Sequence, residues 1–155
     1  KTASEPAKVP EHLENYTWLY EGVTGKKATP ADLVLQSEKV YNFQRLFNLR
    51  LGHGKRADDY PPYRAVGPVT VEEYESRQER YDTELKESVG VDPAGLSSDE
   101  KVRILREYRE SRYEQLVDAV YKRRGWTENG VPTVETARRL GIDFPDVVEL
   151  IQKNA

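Results

Sequence analysis

Three arginines and two aspartates are crowded into one short stretch of this chain. Helix-like Asn42-Phe43-Gln44-Arg45-Leu46-Phe47-Asn48-Leu49-Arg50 leads into Gly52-His53-Gly54-Lys55-Arg56-Ala57-Asp58-Asp59-Tyr60-Pro61. A guanidinium and a carboxylate at this spacing can close a two-pronged ion pair, so Asp58 or Asp59 folding back on Arg45, Arg50 or Arg56 would pin the loop. The same cations could instead contact a cofactor or substrate, but loop anchoring is the favoured reading. Gly52-His53-Gly54-Lys55 lacks the spacing of a phosphate-binding loop and follows no strand. His12 and His53 are too few for a metal site of their own, and His53 reads as an exposed loop histidine. Cysteine is absent from all 155 residues. Disulfides, thiolate zinc sites and iron–sulfur ligation from within this chain are therefore excluded.

These residues need helices to position them, and helix signals dominate. A first helix is expected over residues 10–23, with Leu13, Tyr16, Leu19, Tyr20 and Val23 on one face. Thr29, Pro30 and Asp32 form the start signature of a second, which carries Leu33, Val40, Phe43, Leu46 and Phe47 inward until Gly52 and Gly54 break it. Residues 52–68 hold turn formers without a period and read as a loop ordered by its contacts. Thr70 with Glu73 opens a helix to about Val89, striped by Tyr74, Tyr81 and Leu85 and stopped by Gly90. A turn at Asp92-Pro93 and Gly95 precedes Ser97 and Glu100, which cap a long helix to about Arg124. Its apolar positions are Val102, Leu105, Tyr108, Leu116, Val117 and Val120. Glu128-Asn129-Gly130 is a tight turn. Thr133 caps a short helix that Gly141 ends, with Ile142 covering its last turn, and a final helix uses Val147, Val148, Leu150 and Ile151. With no alternation of strand type, the expected fold is all-α.

Composition narrows the function. Charged residues make up 33% and hydrophobic ones 37%, with a mean hydropathy of -0.82. Such a wet composition suits narrow amphipathic helices, some of which need a partner surface. The 24 basic and 27 acidic residues are intermixed, for a net charge of -3, so nothing advertises a nucleic-acid face. Arg103, Arg106, Arg109 and Arg112 recur every third residue, but Glu107, Glu110 and Glu114 interleave with them. Pairs Arg103–Glu107 and Arg106–Glu110 make this a solvated, salt-bridged face. Residues 133–151 have the outline of a helix-turn-helix, yet Asp146-Val147-Val148-Glu149-Leu150 is too acidic to read DNA. No apolar run reaches a membrane span, and a cytoplasmic location is expected. Residues 1–9 read as a linker remnant, and with the absence of methionine they suggest a fragment. Residues 10–155 are expected to form a single helical domain.

Two segments carry a family resemblance. Gly22-Val23-Thr24-Gly25 through Thr29-Pro30-Ala31-Asp32-Leu33 to Asn42, Arg45-Leu46-Phe47-Asn48-Leu49-Arg50 and the loop to Pro61 is the first. The second is Tyr121-Lys122-Arg123-Arg124-Gly125-Trp126-Thr127-Glu128-Asn129-Gly130-Val131-Pro132-Thr133 with Leu140-Gly141-Ile142. Together, in this order, they resemble the C-terminal helical domain of tungsten-dependent aldehyde:ferredoxin oxidoreductases. The resemblance covers residues 16–61 and 116–142.

It implies a parent enzyme with a tungstopterin and a [4Fe-4S] cluster, oxidising an aldehyde to a carboxylic acid and passing electrons to ferredoxin or an electron-transfer subunit. This domain would help enclose the pterin and the substrate channel, with the remaining domains of the parent as its partners. No catalytic, cofactor or metal residue carries over, because the family's cluster cysteine and pterin-contacting Asp/Gly motif would lie upstream of Tyr16. The chain alone is expected to bind no cofactor and to be inactive. The loop at 52–62 is the candidate for the surface nearest the cleft. A charged helical pair at about 69–114 reads as an insertion, which could mark a branch related to tungsten-dependent aromatic acyl-CoA reductases or dock an electron-transfer subunit. The alternative is a non-catalytic helical interaction or scaffold domain.

Overall fold

A computed structural model describes residues 10–155; the expected linker at 1–9 lies outside them. Seven α-helices and no strand occur among the described residues: α1 (Pro10–Thr24), α2 (Pro30–Arg50), α3 (Val71–Glu75), α4 (Gln78–Glu84), α5 (Ser98–Arg124), α6 (Val134–Arg139) and α7 (Pro145–Asn154). The protein is all-α, as its helix signals require. The contacts of the described residues divide them into two compact units, one formed by residues 10–54 with 131–155 and the other by residues 55–130.

The first unit contains α1, α2, α6 and α7. Helix α2 begins on the expected capping box: the Thr29 hydroxyl accepts from the Asp32 N–H, and the Asp32 carboxylate accepts from the Thr29 N–H. Leu46 and Leu49 of α2 meet Ala137 of α6, Leu140 and Ile142 just after it, and Val147 and Ile151 of α7 in one apolar core.

The expected inward set of α2 needs correction. Leu46 is buried and Leu33 half-buried, but Val40, Phe43 and Phe47 are exposed, while the buried stripe is Asn42, Arg45, Leu46 and Leu49. At 100° per residue both stripes repeat at helical spacing, so periodicity alone could not choose between them. The packed side includes two polar residues, and the Asn42 amide is satisfied by donating to the Glu38 carbonyl at 2.9 Å.

Helix α1 keeps its expected limits to within a residue, yet none of its face residues is fully buried; Leu13 and Tyr20 are half-covered. Helix α6 ends in the expected reverse turn. The Gly141 N–H donates to the Arg138 carbonyl and the Ile142 N–H to Ala137, leaving Ile142 buried over the last turn.

The second unit is built on α5, whose Ser97–Glu100 capping box forms as expected. Its upper core joins Tyr74, Tyr81, Leu85 and Leu105, and a separate lower core joins Val117, Tyr121 and Trp126. The turn at Glu128-Asn129 also forms, closed by the Gly130 N–H on the Thr127 carbonyl. The continuous helix expected over 70–89 is instead α3, α4 and one π-helical turn, Leu85–Val89. Arg77 leaves helical geometry (φ -136, ψ 29) and Ser76 turns its hydroxyl onto the Glu73 carbonyl. Seven residues of unbroken helix rise about 10.5 Å. The break brings the Tyr74 and Tyr81 rings to 5.2 Å between centroids, and the Tyr74 hydroxyl donates to Asp82 at 2.7 Å. Thr70 caps α3, but Glu73 reaches back to the Val69 N–H, one residue before the expected partner. Of the apolar positions expected on α5, Leu105 and Val117 are buried and Val102 and Tyr108 half-buried, whereas Leu116 and Val120 are exposed.

Candidate functional site

The loop after α2 is where the sequence concentrates chemistry, and residues 55–62 of it belong to the second unit. Two short 3-10 turns, Arg56–Asp59 and Tyr63–Val66, replace the expected irregular run. The first turn is started locally: the Asp58 carboxylate accepts from the Lys55 N–H at 3.0 Å.

Arg56 is the hub. Its Nε and Nη2 donate to Glu114, its Nη1 donates to Asp118 at 2.7 Å and to the Glu128 carbonyl at 3.1 Å. Its own N–H donates to the Asn129 carbonyl at 2.9 Å, tying the two ends of the unit together. The side-chain hydrogen bonds from Arg56 to Glu114 and Asp118 raise its pKa further above the ordinary range, so it is a permanent cation. Asp59 is held by tyrosines: Tyr121 Oη donates to its carboxylate and Tyr113 Oη to its carbonyl. Tyr60 stands edge-on to Tyr113, with centroids 5.8 Å apart.

Two of the three arginines expected in the loop clamp take other partners. Arg56 pairs with α5, not with Asp58 or Asp59, and Arg50 pairs with Asp146 at 2.5 Å. Glu114, Asp118 and Tyr121 lie four and three residues apart on one α5 face, a spacing visible in the sequence. Nothing local marked that face as the one the loop would meet.

Beside Arg56 lies an open cavity of about 740 Å³, bounded by Tyr121, Trp126, Lys122 and the turn at Glu128-Asn129. Its cations are matched by Asp118 and Glu128, with Glu114 on Arg56. Arg56 is spent on Glu114 and Asp118, so an anionic group here would meet Lys122 beside the Asp118 and Glu128 carboxylates. The chain does not fit a [4Fe-4S] cluster, whose thiolate donors it lacks entirely. No group of three or more histidines or carboxylates able to hold a metal occurs among the described residues. His53 is exposed, and its N–H donates to the Asn48 carbonyl.

The arginine series on α5 also needs correction. Arg103–Glu107 is the expected exposed pair. Arg106 forms its pair with Glu110 but is buried, stacked 3.6 Å from the Tyr63 ring centroid and donating to the carbonyls of Tyr63, Gly67 and Pro68. Arg109 grips Glu84 with two bonds of 2.9 and 2.6 Å. A three-residue repeat drifts by about 60° per step on an α-helix, so the series starts in solvent at Arg103, crosses the fold at Arg106 and Arg109 and is exposed again at Arg112. The helix-turn-helix outline is likewise occupied by structure: Asp146 holds Arg50, and Arg139 holds Glu38 with two bonds.

The family model for aldehyde ferredoxin oxidoreductase, domains 2 and 3, matches residues 2–142. The chain belongs to the aldehyde ferredoxin oxidoreductase family, as part of the helical region of such an oxidoreductase. No curated protein and no solved structure matches it. No helix among the described residues is long and apolar enough to cross a membrane.

Proposed function

We propose that this chain is the C-terminal helical part of a tungstopterin, iron–sulfur enzyme, and that it serves as a wall of the cofactor and substrate cleft, supplying no ligands. The parent reaction is oxidation of an aldehyde, with water, to a carboxylate, releasing two electrons and three protons; ferredoxin or an electron-transfer subunit takes the electrons. The family match over residues 2–142 carries this reading. The pinned loop at 55–62 supports it, since Arg56, Asp59, Tyr113 and Tyr121 spend their polar groups on rigidity. Residues 69–114 are an insertion on this reading, supported by the contact of Tyr60, ahead of the segment, with Tyr113 at its far end. Docking of an electron-transfer subunit is its proposed task; unchanged complex assembly after deletion of residues 71–109 from the full-length enzyme would exclude that task.

The main test is anaerobic purification of the full-length protein with elemental analysis and a dye-reduction assay. Tungsten, iron in a four-iron ratio and aldehyde-dependent reduction are expected. A folded full-length protein with neither tungsten, molybdenum nor iron would overturn the proposal.

A further inference from the structure

Of the five asparagines in the chain, Asn129 is the one followed by a glycine. With no Cβ on residue 130, the Gly130 nitrogen can come close to the Asn129 side-chain carbonyl. Attack there closes a succinimide ring. A bond forms from the Gly130 nitrogen to Asn129 Cγ, and the side-chain amide nitrogen leaves as ammonia with the proton that Gly130 gives up. Water then opens the ring at either carbonyl, leaving aspartate or, with the chain routed through the side-chain carbon, isoaspartate. Water is the one reagent consumed.

The fold exposes one member of this pair and restrains the other. Asn129 is exposed at the cavity beside Arg56, whereas Gly130 is buried. The Gly130 N–H donates to the Thr127 carbonyl at 2.8 Å, a bond that favours keeping the proton the attack must release. Arg56 braces the same turn twice: its N–H donates to the Asn129 carbonyl at 2.9 Å and its Nη1 to the Glu128 carbonyl at 3.1 Å. Glu114 and Asp118 anchor that arginine on α5. Bringing the Asn129 side chain over the Gly130 nitrogen requires rotation about the soft bond between Asn129 Cα and its carbonyl carbon. That carbonyl is the one the Arg56 N–H holds.

We propose that Asn129-Gly130 is a self-deamidating modification site held in check by the Arg56 brace, so that loosening the brace converts Asn129 to aspartate or isoaspartate. The inference stands apart from the function proposed above and draws on no cofactor. Conversion adds a carboxylate beside Asp118 and Glu128 at the cavity. Isoaspartate also lengthens the backbone of the turn that Arg56 closes, so the brace cannot re-form in its original register.

The test is peptide mapping by mass spectrometry of the full-length protein aged in mildly alkaline buffer, with isoaspartate measured by enzymatic methylation. The population of the open turn sets the rate, and a charge-anchored brace lowers that population. Wild-type protein is therefore expected to convert Asn129 about tenfold more slowly than a synthetic peptide of residues 125–133, and a folded Arg56→Ala variant about tenfold faster than wild type. A wild-type rate equal to the peptide's overturns the restraint. A folded Arg56→Ala protein that ages as slowly as wild type overturns the role of Arg56. Where that variant does not fold, wild-type protein aged across a urea series decides. Conversion that rises below the unfolding transition supports local opening of the turn, and conversion confined to the transition overturns it.

Discussion

Arg106 and Arg109 look like members of a solvated charge stripe, yet the fold uses them as internal ties. Arg106 satisfies three loop carbonyls while covering a tyrosine ring. Arg109 presents two N–H donors to Glu84, and that bonding holds the Glu84 carboxyl below its usual range. Asp82 follows the same logic: burial pushes its pKa up, but donation from Tyr74, Lys101 and Gln78 outweighs this and the net direction is down. A carboxyl with a lowered folded pKa adds stability that is complete above its unfolded value and is lost as pH falls through the folded one. The chain should therefore lose stability on acidification below pH 4.5, the ordinary value for Glu84. Glu84→Gln is expected to cost about 2 kcal/mol at neutral pH and to flatten the acid limb. Urea denaturation at several pH values reads both effects; an acid limb identical to the wild type would refute the assignment. Which arginines turn inward was not legible from residue type, because a three-residue repeat crosses both solvent and core.

Helix ends were the most legible elements, since their chemistry is local. The Thr29–Asp32 and Ser97–Glu100 boxes form between residues three apart and need no distant partner. The end of α6 is equally local. Gly141 has φ +62, and a Cβ there would meet nothing closer than Lys39 Nζ at 3.8 Å. The cost of Gly141→Ala is thus conformational, about 1 kcal/mol, or a fall of about 2–4 °C in Tm. An unchanged Tm would show that the reverse turn does not depend on glycine. The break at Ser76-Arg77 was illegible because nothing in the local sequence demands it. It answers the need to bring Tyr74, Tyr81 and Asp82 into one buried cluster.

At the scale of the whole molecule, the second unit contains two separate apolar cores joined by α5. The lower one sits with the Arg56 hub, and the upper one belongs to residues 62–112. Because Tyr60 and Tyr113 already touch, the ends of that segment can be rejoined by a few residues at small entropic cost. Replacing residues 62–112 with a short Gly/Ser linker is expected to keep cooperative unfolding and the buried fluorescence of Trp126. Loss of both would show that the upper core is needed to hold the lower one.

The amino-acid sequence by itself determined the helical class, most helix ends and the family, because capping and short motifs act over three or four residues. It also determined that this chain brings no thiolate to a metal centre. Only the tertiary structure decided that Arg56 pairs with Glu114 and Asp118 instead of the nearby aspartates. It likewise decided which of the two apolar sides of α2 is packed within the first unit. Both choices join residues far apart in the chain, where local spacing offers equivalent alternatives and packing selects one.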